Sequence, residues 1–441
     1  MPGHTLTRPL NRLADGTVKQ VNPLTGTEVW TVPGRGHRPI STAPAARERL
    51  DPAGETRTCA FCPGRHLDTP PEKARLVRTP EGWRTLHHLP AEELDATVAE
   101  FRRIPNLFEI LSLDYWRANH GYQVPASALD HEREYVATPA GRTHVLRVLR
   151  RRLEAAGTAE AERDAMTEEE LLARAQGLFA GGHDLVVARR HHVDGAEFDD
   201  ELASSGTLTP EEHHHYLAFT VETMRSLYEA NRHARYVAVY QNWLRPAGAS
   251  FDHLHKQLVA IDERGRQVDH ELDLLRTRPD LYNAAVLEVA LTEGLLVAEN
   301  DHAVALSGVG HRYPTLEVWS KSAAAVPWEL TTAELRDFSD LLHACHAATG
   351  AGVPTNEEWH HRPPDALRPM PLRAMLKWRV STLAGFEGGT KINLNTISPD
   401  DLRTRVVRRL AELREAGGIA PVPVGDECAG RPGSLRYRDA G

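Results

Sequence analysis

Long apolar runs are missing from this chain of 441 residues. Nothing approaches the stretch of about 18 consecutive apolar residues that a membrane-spanning helix needs, so no membrane partner is expected. The opening segment Met1–Gly16 has no basic stretch followed by an apolar one, and so does not read as a secretory leader. Cysteine is scarce: there are four, two of them in one Cys-x-x-Cys. That suits a reducing cytoplasm with a metal at the paired thiols better than a disulfide framework, with buried structural cysteines or a redox pair as the other readings. Positive charge is not in excess either, since 52 basic residues face 61 acidic ones for a net charge of −9, and the basic residues are scattered. Nucleic acid is therefore not an expected partner, although a small phosphorylated ligand needs only two or three arginines. What remains is an ordinary globular composition, 41% hydrophobic and 26% charged, with room for two or three domains or one large duplicated one.

Glutamine is also rare, at six residues, and one of the six completes the most informative run in the chain, His253-Leu254-His255-Lys256-Gln257. In an extended strand alternate side chains share a face, so His253, His255 and Gln257 are expected to point the same way. Such a face is equipped to bind a metal, to attack a phosphorus atom and to donate to a phosphoryl oxygen. Neutral imidazole offers one lone pair, which is nucleophilic when the proton on the other nitrogen is held by an acceptor. His255 is the candidate nucleophile and Gln257 the candidate oxygen-binding donor. A second reading uses both histidines as metal ligands, with no chemistry. The knuckle Cys59-Ala60-Phe61-Cys62-Pro63-Gly64 brings two thiolates together ahead of a Pro-Gly turn, and zinc needs two more ligands. His253 is the third candidate, and His192 or His191 the fourth. Arg35 and Arg38 stand three apart on a glycine loop, a plausible fork for a diphosphate.

Along the chain, a strand is expected at Val29–Val32, and a short helical pattern at Ala91–Arg103 leading into the loop Ile104–Phe108. An Arg-, Glu- and Ala-rich helical insertion covers about 110–180, with its clearest helix at Thr167–Ala175. A strand Asp184–Ala188 follows, then a helix opened by the capping box Thr209-Pro210-x-Glu212, a strand Tyr236–Tyr240, and the strand carrying the two histidines. The second half repeats this order, with strands at His302–Leu306 and Thr315–Trp319, a helix opened by Thr331-x-x-Glu334, and a strand at Leu376–Val380. Domain limits of 1–262 and 263–425 follow, with a loosely ordered tail at 426–441.

With these residues in view, the sequence resembles the galactose-1-phosphate uridylyltransferase family of the histidine-triad-like superfamily. The resemblance rests on Asn22-Pro23-Leu24-Thr25-Gly26, Arg35-x-x-Arg38-Pro39, the cysteine knuckle, Pro105-Asn106-Leu107-Phe108, and Tyr240-Gln241-Asn242 through Ala247-Gly248-Ala249-Ser250 to Gln257. Arg312-Tyr313-Pro314, Glu317-Val318-Trp319 and Ala384-Gly385-Phe386-Glu387 extend it into the second half. It implies an α+β fold of two duplicated halves, each an antiparallel sheet flanked by helices. It implies Zn2+ held by Cys59, Cys62, His192 and His253, with His192 preferred over His191 by its position after the strand. His255 becomes the nucleotidylated nucleophile, Gln257 and Ser250 meet phosphoryl oxygens, and Arg35 and Arg38 lie near the phosphates. Asn106, Phe108 and Asn242 line the nucleotide pocket, alongside the Gly248 loop. The expected activity moves a nucleoside monophosphate between a nucleoside diphosphate sugar and a sugar phosphate, in a homodimer. A dinucleoside polyphosphate phosphorylase or hydrolase of the same superfamily and a non-catalytic zinc-stabilised binding protein are the alternatives. This chain departs from the family pattern at Leu254, in place of the usual proline, at Leu107, and at Lys377-Trp378-Arg379 where many members carry histidines near the sugar. Galactose 1-phosphate is therefore not the expected substrate.

Overall fold

The computed structural model describes residues 8–34, 47–51 and 59–437. Its strands are β1 (Leu10–Arg12), β2 (Val18–Val21), β3 (Glu28–Thr31), β4 (Ala74–Thr79), β5 (Gly82–His87), β6 (Ala99–Pro105), β7 (His183–Ala188), β8 (Tyr236–Trp243) and β9 (His255–Ile261). β10 (Leu296–Glu299), β11 (Ala303–Ser307), β12 (Thr315–Ser320), β13 (Thr355–His360), β14 (Arg373–Trp378) and β15 (Ile392–Asn395) follow. Eleven of them form one antiparallel sheet in the order β10-β11-β12-β14-β13-β8-β9-β7-β6-β4-β5. The duplication is visible in that order: β6-β7-β9-β8 in the first half is mirrored by β11-β12-β14-β13 in the second. Each half inserts one long helix before its last two strands, Pro210–Ala230 and Thr332–Thr349. The halves join where β8 pairs with β13, Asn242 opposite Asn356 and Tyr240 opposite Glu358. A small sheet, β1-β2-β3-β15, lies apart from the large one.

Both long helices start as their sequences dictate, with Thr209 and Thr331 each completing a capping box that satisfies otherwise orphaned amides. Their apolar stripes, including Leu217, Val221, Met224, Phe338 and Leu342, form a common core with residues such as Val186, Val239, Leu254 and Leu258 of the sheet. Strand alternation then leaves His255 and Gln257 on the opposite face. Over the second half that opposite face is covered by Leu10, Leu24, the helix Arg266–Thr277 and the C-terminal residues.

Four expectations are corrected. Residues 99–105 are a strand, and only Ala91–Glu93 make a helical turn. Arg102 of that strand is buried because its guanidinium bonds Glu72 and Thr69. In the insertion, the helix capped by Thr167 is short (Glu168–Leu172), and the longer ones are Ala126–Ala137 and Pro139–Ala155, packed around their own core. The supposed tail is docked: Leu435 and Tyr437 are buried, and Tyr437 Oη donates to the Pro279 carbonyl at 3.0 Å. The histidine-bearing strand begins at His255, with His253 in the bend before it.

One buried ion pair links the halves through the helix-side face. Lys256 of β9 and Glu357 of β13 are both inaccessible, 2.5 Å apart, and Glu357 also accepts from His346 and Trp359. Burial alone would raise this carboxyl, but Lys256 and His346 hold it well below its ordinary value. Lys256→Met is expected to strand that charge and cost about 3–5 kcal/mol in urea unfolding. A loss below about 1 kcal/mol would show that the pair does not clamp the halves.

Histidine burial sets acid sensitivity. Desolvation holds His144, His214 and His343 at about 4, and His131 and His361 at about 3. An unfolded histidine titrates at about 6.5, so the stability these rings contribute is complete above that pH and is lost as pH falls through about 4. The melting temperature should therefore drop steeply from pH 6.5 to 4, which differential scanning fluorimetry measures. A flat profile over that window contradicts the assignment.

Candidate active site and metal cluster

The cysteine knuckle is a tight turn, with the Cys62 amide donating to the Cys59 carbonyl at 3.1 Å and Gly64 in the left-handed region at φ +74°. Its sulfurs, 3.8 Å apart, meet His191, just beyond β7, and His253, just before β9. His253 Nδ1 lies 3.4 Å from Cys59 Sγ and 3.9 Å from Cys62 Sγ; His191 Nδ1 lies 3.5 and 3.6 Å from the same sulfurs, and 3.2 Å from His253 Nδ1. A tetrahedral ion with bonds of about 2.3 Å to sulfur and about 2.0 Å to nitrogen places its ligand atoms about 3.8 Å (S–S), about 3.5 Å (S–N) and about 3.3 Å (N–N) apart. The four atoms match that spacing, so these residues could hold a metal. His253 Nε2 donates to the Ala188 carbonyl at 2.6 Å, which fixes the tautomer that leaves Nδ1 free to ligate. Between the thiols, a hydrogen bond from Cys59 holds Cys62 well below its ordinary value and pushes Cys59 up.

The fourth member of this candidate cluster is His191, and the expected His192 lies outside it. Neighbouring residues of an extended segment face opposite ways, so one of the pair reaches the sulfurs. His192 instead forms a backbone bridge with Leu202 and is buried there. The discriminating signal is register: Val187 pairs with His255, so the odd-numbered residues of β7 share the site's face. His191→Ala should remove at least one metal equivalent by plasma mass spectrometry and His192→Ala should keep it. The reverse result overturns the ligand set.

His255 is 5% exposed, under the Phe61 ring at a centroid distance of 5.3 Å. Its Nδ1–H donates to the His253 carbonyl at 2.7 Å, leaving the lone pair on Nε2. Burial lowers its pKa to about 4, so the ring is neutral near pH 7. Gln257 lies two residues on along the same face, its Oε1 accepting from Tyr240 Oη at 3.1 Å. His183 Nε2 stands between Gln257 Oε1 (3.2 Å) and Asn106 Nδ2 (3.1 Å), tying the Asn106 loop to the strand of His255. Asn106 Oδ1 accepts from the Phe108 amide at 2.9 Å, and the Phe108 ring is exposed.

On the other side of β9, Asn242 and His255 each lie two residues beyond the Tyr240–Gln257 pair and so on one face. Asn242 Oδ1 accepts from Asn356 Nδ2 at 2.7 Å, which leaves its own amide nitrogen as the donor for a ligand. Asn356 also donates to the Ala247 carbonyl and accepts from Arg379 Nη1 at 2.6 Å. Gly248 sits at φ +89° above Asn242, a conformation that side chains rarely adopt, and Ser250 is exposed in the same loop. Arg35 and Arg38 lie outside the described residues. The structure thus gathers His255, Gln257, Asn106, Asn242, Gly248 and Ser250 around one face of the sheet, and adds Phe61, His183, Tyr240, Asn356 and Arg379.

This architecture is shared with solved proteins of the galactose-1-phosphate uridylyltransferase-like fold. An ADP-glucose phosphorylase from Arabidopsis thaliana, determined with bound ADP-glucose, is similar at 19% identity and a TM-score of 0.57, over 88% of this chain and 97% of that one. A GalT-like protein from the same plant is similar at 18% identity and a TM-score of 0.53, over the same shares of the two chains. No curated protein matches the sequence. The chain belongs to the DUF4921 family, described as a domain of unknown function, whose model matches residues 13–437. No helix among the described residues is long and apolar enough to cross a membrane.

Proposed function

We propose that this protein is a nucleotidyltransferase that works by double displacement on a nucleoside diphosphate sugar. The observation that carries the reading is the orientation of His255, whose Nδ1–H is committed to the His253 carbonyl while Nε2 keeps its lone pair beside Gln257. In the first step Nε2 attacks the α-phosphorus, the bond from that phosphorus to the bridging oxygen breaks, and a sugar phosphate leaves. The nucleotidylated ring is cationic, and its Nδ1–H bond to the His253 carbonyl strengthens as that charge develops. Gln257 donates to a non-bridging oxygen, with Ser250 beside it and Arg35 and Arg38 near the phosphates. Asn106, Phe108 and Asn242 line the nucleotide pocket. In the second step a phosphate oxygen of the acceptor attacks phosphorus, the P–N bond breaks, and the lone pair returns to Nε2.

The metal is assigned as zinc, held by Cys59, Cys62, His191 and His253. Four protein ligands leave no open position, so its role is structural. A homodimer is part of this reading and is checked by light scattering on the purified protein.

Intact-protein mass after incubation with uridine, adenosine and guanosine diphosphate sugars tests the reading. A nucleotide-sized adduct is expected with at least one donor, and none with any of them overturns it. A second reading, phosphorolysis, is favoured by the fold shared with a phosphorylase that binds ADP-glucose. Faster discharge of the adduct by orthophosphate than by sugar phosphates selects it.

A further inference from the structure

On the same sheet face, beyond Asn242, a cavity of about 540 Å³ reaches from Tyr240 and Asn242 to Asn356, Glu358 and Arg379. It shares Gln267, Asn356, Glu358 and Arg379 with a second cavity of about 310 Å³, which adds Arg312 and Lys377. The two form one groove running from the nucleophile's neighbourhood into the second half. We propose that the far end of this groove is an oxyanion subsite for the sugar, so that the substrate carries an acidic group, a carboxylate or an additional phosphate, besides its anomeric phosphate. This rests on the reading of His255 given above.

Charge balance is the first support. Three cations line the distal cavity against one carboxylate, Glu358, which is taken by Lys377 at 2.5 Å. Among the described residues neither Arg312 nor Arg379 pairs with a carboxylate. Arg379 spends Nη1 on the neutral Asn356, and its buried Nε has no hydrogen-bond partner. The two guanidiniums share the Tyr313 ring, with centroid distances of 4.7 Å for Arg379 and 5.0 Å for Arg312. A part-buried guanidinium with an unmet N–H is costly unless a ligand completes it, and a carboxylate or phosphate does so with charge-assisted bonds.

Distance is the second support, and it excludes the diphosphate itself. Neighbouring strands stand about 4.8 Å apart, and β13 is two strands from β9, so the backbone of Asn356, whose side chain the Arg379 guanidinium meets, lies roughly 10 Å from the strand that carries His255. The bridging phosphate of a nucleotide sugar stays within one strand spacing of the attacked phosphorus. The next spacing is filled by a pyranose ring, which puts the cations at its far edge. A neutral hexose presents only hydroxyls there, for which amides and carboxylates suffice.

Calorimetric titration of the whole protein tests this without knowledge of the base. The probes are glucose 1-phosphate, glucuronate 1-phosphate, glucose 1,6-bisphosphate, their galacto counterparts and orthophosphate. At least one acidic sugar phosphate should bind at least about tenfold tighter than its neutral counterpart, and the tighter of the carboxylate and the bisphosphate identifies the acidic group. Arg379→Met should cut the preference to below about threefold, and Arg312→Met, an exposed position safe for folding, should reduce it in part. Equal binding of neutral and acidic sugars, no binding of any sugar phosphate, or an unchanged preference in both variants overturns the proposal. Adduct formation on His255 is scored separately: an adduct formed without any acidic preference defeats the subsite alone. Absence of any adduct defeats the nucleophile, whatever the titrations show.

Discussion

His255→Ala is expected to abolish the nucleotide adduct and to lower turnover by about 10^4-fold or more, because the variant has no other neutral imidazole presented to the same phosphorus. Three neighbours make the loss specific. Phe61 and Tyr240 keep the walls of the site, and Gln257 keeps its contact with Tyr240. Donor affinity should therefore change far less than turnover, and the melting temperature should move by only a few degrees. Intact mass reads the adduct, and equilibrium binding of the donor supplies the contrast. An adduct that persists in the variant would place the nucleophile elsewhere.

Stripping the metal should be the larger insult to stability. The cluster ties the knuckle to the chain just beyond β7 and just before β9, where the knuckle adds its Phe61 ring to the small core of Ile104, Leu185 and Val187. Structural zinc contributes apparent binding energies of about 10–16 kcal/mol in isolated peptides, comparable to the whole stability of a domain. Chelation, or Cys62→Ser, is expected to lower the melting temperature by more than about 10 °C and to abolish adduct formation together with it. The two losses are linked through His253, whose side chain belongs to the candidate metal cluster and whose carbonyl accepts from His255 Nδ1. A demetallated protein that melts normally and still forms the adduct refutes this coupling.

Much of the candidate site is legible in the sequence because it is local. His253, His255 and Gln257 fall within five residues, and the knuckle within six, so spacing marks them as one candidate set, to which the family resemblance adds the expected roles. The choice of His191 over His192 was missed, both being candidates, because it needs the pairing of Val187 with His255, which no local pattern reveals. Strand β6 escaped because Arg102 reads as a solvated residue until Glu72, thirty positions earlier, is seen beside it. Asn356 escaped for the same reason on a larger scale: it reaches Asn242 only because β13 pairs with β8 across more than a hundred residues.

The unbroken run of strands from β9 through β8 to β13 has a kinetic corollary. Backbone hydrogen bonds across that junction leave the two halves no hinge on which to part, so traffic must use the groove as it stands. In the proposed reaction a departing sugar phosphate and an arriving acceptor would then compete for the same berth and take turns in it. Initial-rate plots should be parallel lines, and the first product released should inhibit competitively against the second substrate.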